Sequence, residues 1–134
     1  MTGNDHLIEI AANTLNPHHV GDRLFGDVGC SLVTDRGNHY VGVCIDTPCG
    51  TGFCAEHAAI AAMVTAREYR IDKIVAVWRD EVGRLHVLPP CGRCREFMRQ
   101  VDPENVGCTV VLGREQTATL SELLPRHRWP EPLT

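Results

Sequence analysis

The chain has 134 residues, 43% apolar and 22% charged, with a formal net charge of −4. That is the balance of one globular domain long enough to bury its own core, and its acidity excludes a general nucleic-acid binder, which needs a basic face. The longest apolar run, Ala58 to Val64, falls far short of the ~18 residues of a membrane span. The opening MTGNDHLIEI has no basic n-region and no apolar h-region, so it does not read as a signal peptide, and a cytoplasmic location is expected.

Residues 5 to 15 place Leu7, Ile8, Ala11, Ala12 and Leu15 on one face of a helix. Asn16-Pro17 stops it. Residues 17 to 27 read as a loop. Residues 28 to 34 and 39 to 45 are β-rich and flank Asp35-Arg36-Gly37-Asn38, a hairpin pattern. A Gly-rich loop follows over residues 46 to 53. Residues 55 to 68 are alanine-rich and helix-favouring. Residues 73 to 79 are apolar on both faces, as in a buried strand. Asp80 to Arg84 turn the chain, and Leu85 to Leu88 form a brief strand. Pro89-Pro90 precedes a helix over residues 92 to 101, closed by Asp102-Pro103. Residues 108 to 112 are a last strand, Ser121 to Leu124 a helical turn, and residues 125 to 134 a proline-rich tail. The pattern predicts a mixed sheet of about five strands with helices on its faces: an opening hairpin, then parallel strands. We expect a single domain over residues 1–134, its core within about 5–124.

The seven cysteines are the most informative feature. Without a secretion signal, clustered cysteines more often bind metal or do chemistry than form bridges. Cys91 and Cys94, three apart at a helix start, share one face and can hold one ion. Cys54 and Glu56 can both converge on something seated over the end of a helix that begins at Ala55. Three thiolates on zinc leave one tetrahedral position open, as in catalytic rather than structural sites. Zinc lowers the pKa of water held there toward ~7, and a carboxylate beside it that does not ligate, Glu56, can shuttle the proton. Three thiolates and Zn²⁺ sum to one negative charge, which two helix N-termini offset. Arg93, between two ligands, is a candidate donor of hydrogen bonds to their sulfurs.

The pair Cys54-Ala55-Glu56 and Pro90-Cys91-Gly92-Arg93-Cys94-Arg95 resembles the zinc-dependent cytidine deaminase family. The likeness runs over roughly residues 5 to 124 and includes Ser121-Glu122-Leu123-Leu124-Pro125. It implies a cytidine deaminase-like three-layer α/β/α fold, with zinc on Cys54, Cys91 and Cys94. Glu56 would deliver a proton to the pyrimidine ring and then to the leaving amine, and the Ala55 N–H would hold the ring carbonyl. The substrate implied is a small cytidine-type nucleoside, not a nucleic-acid polymer. The implied assembly is a homotetramer, or a homodimer, with Gly50 to Phe53 near an interface. Members typically hold the ribose with Asn-x-Glu on the second strand; here that stretch is Cys44-Ile45-Asp46. Their Phe before the first strand corresponds to Phe25, one position early. Typical members carry Arg after the catalytic Glu, where this chain has His57. Blasticidin-S deaminases, a related branch, share the Cys-Gly-Arg-Cys-Arg arrangement and lack the standard ribose pair. A modified cytosine nucleoside is therefore the second expected substrate.

Three other readings stand beside this one. Cys54, His57, Cys91 and Cys94 formally supply four ligands for a structural zinc. Cys91-Gly92-Arg93-Cys94 also resembles a redox dithiol. A catalytically silent binding module is the third. Cys30 and Cys108 read as core, Cys49 as an exposed or interface thiol, Trp78 as core and Trp129 as an interface anchor or substrate contact.

Overall fold

A computed structural model describes residues 3–134; Met1 and Thr2, included in the expected domain, lie outside the described residues. The elements are α1 (Asn4–Thr14), β1 (His18–Val20), β2 (Arg23–Phe25), β3 (Val28–Thr34), β4 (His39–Val43), α2 (Ala55–Thr65), β5 (Ile71–Arg79), β6 (Leu85–Leu88), α3 (Gly92–Val101), β7 (Thr109–Val111), β8 (Thr117–Thr119) and α4 (Leu120–Leu123).

The central strands carry apolar side chains on both faces because helices cover both. Side chains alternate along a strand. In β3 and β5, Cys30, Leu32, Ile74 and Ala76 join one core, with Ala59, Ile60 and Met63 of α2 and Met98 of α3. Their neighbours Val33, Val75 and Val77 join the other, under Leu7, Ile8 and Ala11 of α1. The result is the expected three layers: α1, the sheet, then α2 and α3.

The main sheet has six strands, in the order β4-β3-β5-β7-β8, with β6 also on β5. The expected run of parallel strands reduces to one pair, β5 with β7 (Lys73↔Thr109, Ile74↔Val110). β6 returns antiparallel along β5 (Ala76↔Leu88 to Arg79↔Leu85), because the Asp80–Arg84 turn is too short for a crossover. β8 pairs antiparallel with β7; three residues without an apolar run gave no strand pattern. The 17–27 stretch, expected as a loop, contains the β1–β2 ribbon (His18↔Phe25, Val20↔Arg23). Its first strand is exposed throughout, so no burial pattern marks it.

Since β3 holds one edge of β5, β7 and β6 share the other. They fork between Ile74 and Ala76. The floor of the functional cavity lies at this fork.

Two polar groups pin the layers. Buried Asn105 accepts from Ile71 N at 2.8 Å and donates to Tyr69 O and Met98 O, both at 3.0 Å. Glu68 accepts from Tyr40 Oη at 2.5 Å, Thr34 Oγ1 at 2.7 Å and Asn38 Nδ2 at 2.9 Å. The Tyr40 hydroxyl first, then that of Thr34, hold its carboxyl below the usual range.

Asn105→Ala strands three backbone groups, two in fully buried hydrogen bonds, and is expected to cost about 3 kcal/mol in urea unfolding. The depressed carboxyl of Glu68 contributes stability above the ordinary carboxylate pKa, lost as pH falls through its lower folded value. Glu68→Gln should therefore lower the urea midpoint at pH 7, with the gap to wild type narrowing in acid.

Candidate active site

After β4 the chain runs out through Cys44, Ile45 and Asp46 and returns by a bridge between Ile45 and Phe53. Gly52 permits the return: a Cβ there would lie 2.2 Å from Ile45 O and 2.8 Å from Thr47 N. The loop delivers Cys54 as the N-cap of α2, with its side chain making no cap hydrogen bond. Across the cleft, Cys91 is the N-cap of α3, where its sulfur accepts from Cys94 N. Both helices thus aim their positive ends at one place.

There Cys54, Cys91 and Cys94 place their sulfurs within 4.8 Å of one another. Cys54 Sγ is 3.6 Å from Cys91 Sγ, which is 3.4 Å from Cys94 Sγ. All seven cysteines are free thiols. A tetrahedral zinc with sulfurs at ~2.3 Å needs sulfur separations of about 3.8 Å, so this trio fits it closely. His57 lies outside that cluster of sulfurs; its Nδ1 is 3.4 Å from Cys94 Sγ.

The three thiols differ in acidity. Burial pushes Cys94 far up, with the Glu56 charge adding to it. Burial also raises Cys54, with the contact to Cys91. For Cys91, burial is outweighed by hydrogen bonds from the Cys94 N–H, the neighbouring thiols and the Arg93 N–H, and its pKa falls. It is the backbone of Arg93, not its guanidinium, that meets a sulfur. The guanidinium Nη1 donates to Gly52 O at 3.2 Å, tying the start of α3 to the loop before α2.

Glu56 is 5% exposed. Burial raises its pKa, against a lowering by its own backbone N–H and by Cys94. It lines a cavity of about 450 Å³ with Cys54, Ala55, Cys91 and Arg93. The far wall comes from Asp27, Cys44 and Asp46, whose ligating atoms also lie within 4.8 Å of one another. The Cys44 thiol donates to Asp27 Oδ1 at 3.0 Å, and burial, then that contact, push it up to about 11. Phe25 sits in β2 and is not among the lining residues; Phe53 is the aromatic there.

Asp27 was not legible as a site residue. It follows Gly26, whose φ of +74 and whose position over Asn16 O, 2.3 Å from where a Cβ would be, demand glycine. Gly26 N donates to Cys44 O, which brings Asp27 beside Cys44. A glycine-aspartate pair just before a strand was the available signal, but it reads equally as a turn.

Residues 2–114 match the family described as the cytidine and deoxycytidylate deaminase zinc-binding region. The chain belongs to this family: it is a deaminase fold acting on cytosine-type compounds, with zinc as its metal. A blasticidin-S deaminase of Bacillus cereus is 32% identical over 129 residues, covering 89% of this chain and 87% of that protein. A cytidine deaminase structure from Burkholderia pseudomallei aligns at TM-score 0.75 and 26% identity, covering 94% of this chain and 98% of that one. A variant of the Mycobacterium tuberculosis cytidine deaminase aligns at TM-score 0.76 over the same shares, with 24% identity, and shows the fold alone.

If the three cysteines ligate as thiolates, the raised Cys54 and Cys94 must each give up a proton, so zinc added to metal-free protein in weak buffer at pH 7 should release at least two protons per ion. Cys94→Ser should release fewer and bind zinc more weakly, as read by isothermal titration in two buffers.

Proposed function

We propose that the chain is a zinc-dependent hydrolytic deaminase of cytosine nucleosides, converting cytidine or deoxycytidine to the uridine counterpart and ammonia. The observation that carries this is Glu56, buried and lining, with Cys54 and Cys91 of the three converging thiols, a nucleoside-sized cavity. Cys54, Cys91 and Cys94 hold the metal in this reading. When bound, zinc supplies the Lewis acidity that makes water a competent nucleophile at neutral pH.

The protein's own groups do the rest. The Ala55 N–H, at the open start of α2, donates to the pyrimidine carbonyl and fixes the ring. Glu56, its pKa raised by burial, accepts the proton that water gives up. It delivers that proton to the ring nitrogen as the C–NH₂ carbon takes on oxygen. A further proton passes through Glu56 to the amine, which leaves as ammonia while the ring carbonyl forms.

The far wall supports a nucleoside rather than a nucleotide. Asp27 and Asp46 face the cavity with two carboxylates, and Arg93, the one cationic side chain among the lining residues, is committed to Gly52 O. A phosphate there meets like charge; sugar hydroxyls meet acceptors. Asp46 stands where the family carries its ribose-holding carboxylate, and Cys44, occupied with Asp27, stands where it carries the amide. This departure, with the Bacillus cereus relative, supports a second reading: blasticidin S or another modified cytosine nucleoside as substrate. The assembly goes with the activity: we take it as a homotetramer, for which exposed Val20, Val41 and Val64 are available to bury, and a reducing cytoplasm suits seven free thiols.

Ammonia release from cytidine, deoxycytidine, deoxycytidylate and blasticidin S tests both readings. Turnover of the nucleosides supports the first, and turnover of blasticidin S alone the second. Deoxycytidylate is expected to be the poorest substrate. Glu56→Gln should keep its zinc and lose about 10²–10⁴-fold in kcat. Silence on every substrate with zinc bound would leave a structural zinc site or a binding module.

A further inference from the structure

The three sulfurs are supported by different devices. Cys91 is served by backbone N–H groups of the first turn of α3. Cys94, wholly buried, has none of these. Its sulfur meets Cys91 Sγ at 3.4 Å and, on another side, the Nδ1 of His57 at 3.4 Å. This distance is within reach of a hydrogen bond to sulfur, whose acceptor radius is larger than oxygen's.

The imidazole is held in place for that contact. It stacks on Phe97 with ring centroids 4.1 Å apart and planes 5° from parallel, and Phe53 flanks it at 6.5 Å and 30°. The sequence spacing makes this possible. His57 is three residues after Cys54 on α2, and Phe97 three residues after Cys94 on α3. Residues three apart share a helix face, so ring and sulfur on each helix meet their counterparts across the same contact. A side chain needed only to fill this space would require no nitrogen facing the sulfur.

We propose that His57 is a positioning residue that donates its Nδ1–H to the Cys94 thiolate and so tunes how strongly that sulfur binds and donates to the metal. The proposal rests on the three-cysteine reading of the metal site. A thiolate has only lone pairs, so once Cys94 ligates, the ring nitrogen facing it must carry the hydrogen. The hydrogen bond draws density from a sulfur that, like that of Cys54, has no backbone amide on it among the described residues. It moderates a centre whose three thiolates outweigh the charge of a divalent ion, while the Arg93 guanidinium is turned to Gly52 O. Partners beyond the ligands themselves commonly change metal affinity about 10–100-fold.

The test compares wild type with His57→Leu, which fills the space without a donor, and His57→Asn, whose amide nitrogen can stand where Nδ1 stands. Zinc affinity is read by chelator competition, and the sulfur-to-metal charge-transfer band by absorption of the cobalt(II)-loaded protein. We expect His57→Leu to bind zinc about tenfold more weakly with its cobalt band moved to lower energy, and His57→Asn to recover most of both. If His57→Leu matches wild type in affinity and band, the hydrogen bond is without consequence and the proposal falls. It falls equally if His57→Asn is as impaired as His57→Leu, since packing on Phe97 would then be the role. If wild type itself shows no thiolate-to-cobalt band, the three-cysteine reading fails, and the proposal with it. A wild-type cobalt spectrum with a nitrogen ligand, lost in His57→Leu, would make His57 a ligand instead.

Discussion

Three sulfurs gathered within 4.8 Å cannot all be thiolates without a cation between them. Like charges at that distance in a partly dry site repel strongly, and burial first, with neighbouring negative charge adding to it, raises two of the three thiols. The rest of the structure is arranged around that constraint. Two helices start at the cluster, each with a cysteine as its N-cap, so the unsatisfied amides of both helices face the same point. Folding brings the sulfurs together at an electrostatic cost, and binding of a divalent ion recovers it.

The sheet makes the convergence possible. β5 is gripped by β3 along one edge, while β7 and then β6 take turns on the other. The two parting strands lead, through Pro89-Pro90 on one side and the packed 3₁₀ turn of Pro103–Gly107 on the other, into and out of α3. Ala76 and Leu88, a cross-strand pair at the fork, form part of the cavity beside Glu56. Clefts where neighbouring strands part are common sites for ligands in open sheets. Here the cleft also sets the acidity of its glutamate, by removing it from water without giving it a cation.

The order and approximate bounds of the long elements were legible in the sequence, because α1, β3, β5 and α3 carry strong periodic patterns or definite stops. So were Cys54, Glu56, Cys91 and Cys94 as a group, since cysteines at helix starts state both chemistry and geometry. The short edge strands β1, β2 and β8 were not, because they bury little and pattern reading depends on burial. Nor was the parallel count, since whether Leu85–Leu88 returns beside β5 or crosses over is decided by turn length and by which edge is free. The far wall of the cavity was half legible. Cys44 and Asp46 were visible by position, but Asp27 reaches them through tertiary contacts of Gly26 with Asn16 and Cys44. Arg93 was expected to turn its side chain to the sulfurs; its partner instead is Gly52 O, in a loop whose path no local pattern specifies.

The unequal burial of the cluster has a kinetic meaning. Cys94 is sealed at the crossing of two helices, Cys54 is half-covered, and Cys91 is open to solvent. In the three-cysteine reading, a competing chelator would meet the cluster from the side of Cys91, and Cys94 would be the last sulfur it reaches. The sulfur reached first is also the cap of α3, so exchange of the metal would be tied to fraying of that helix's first turn.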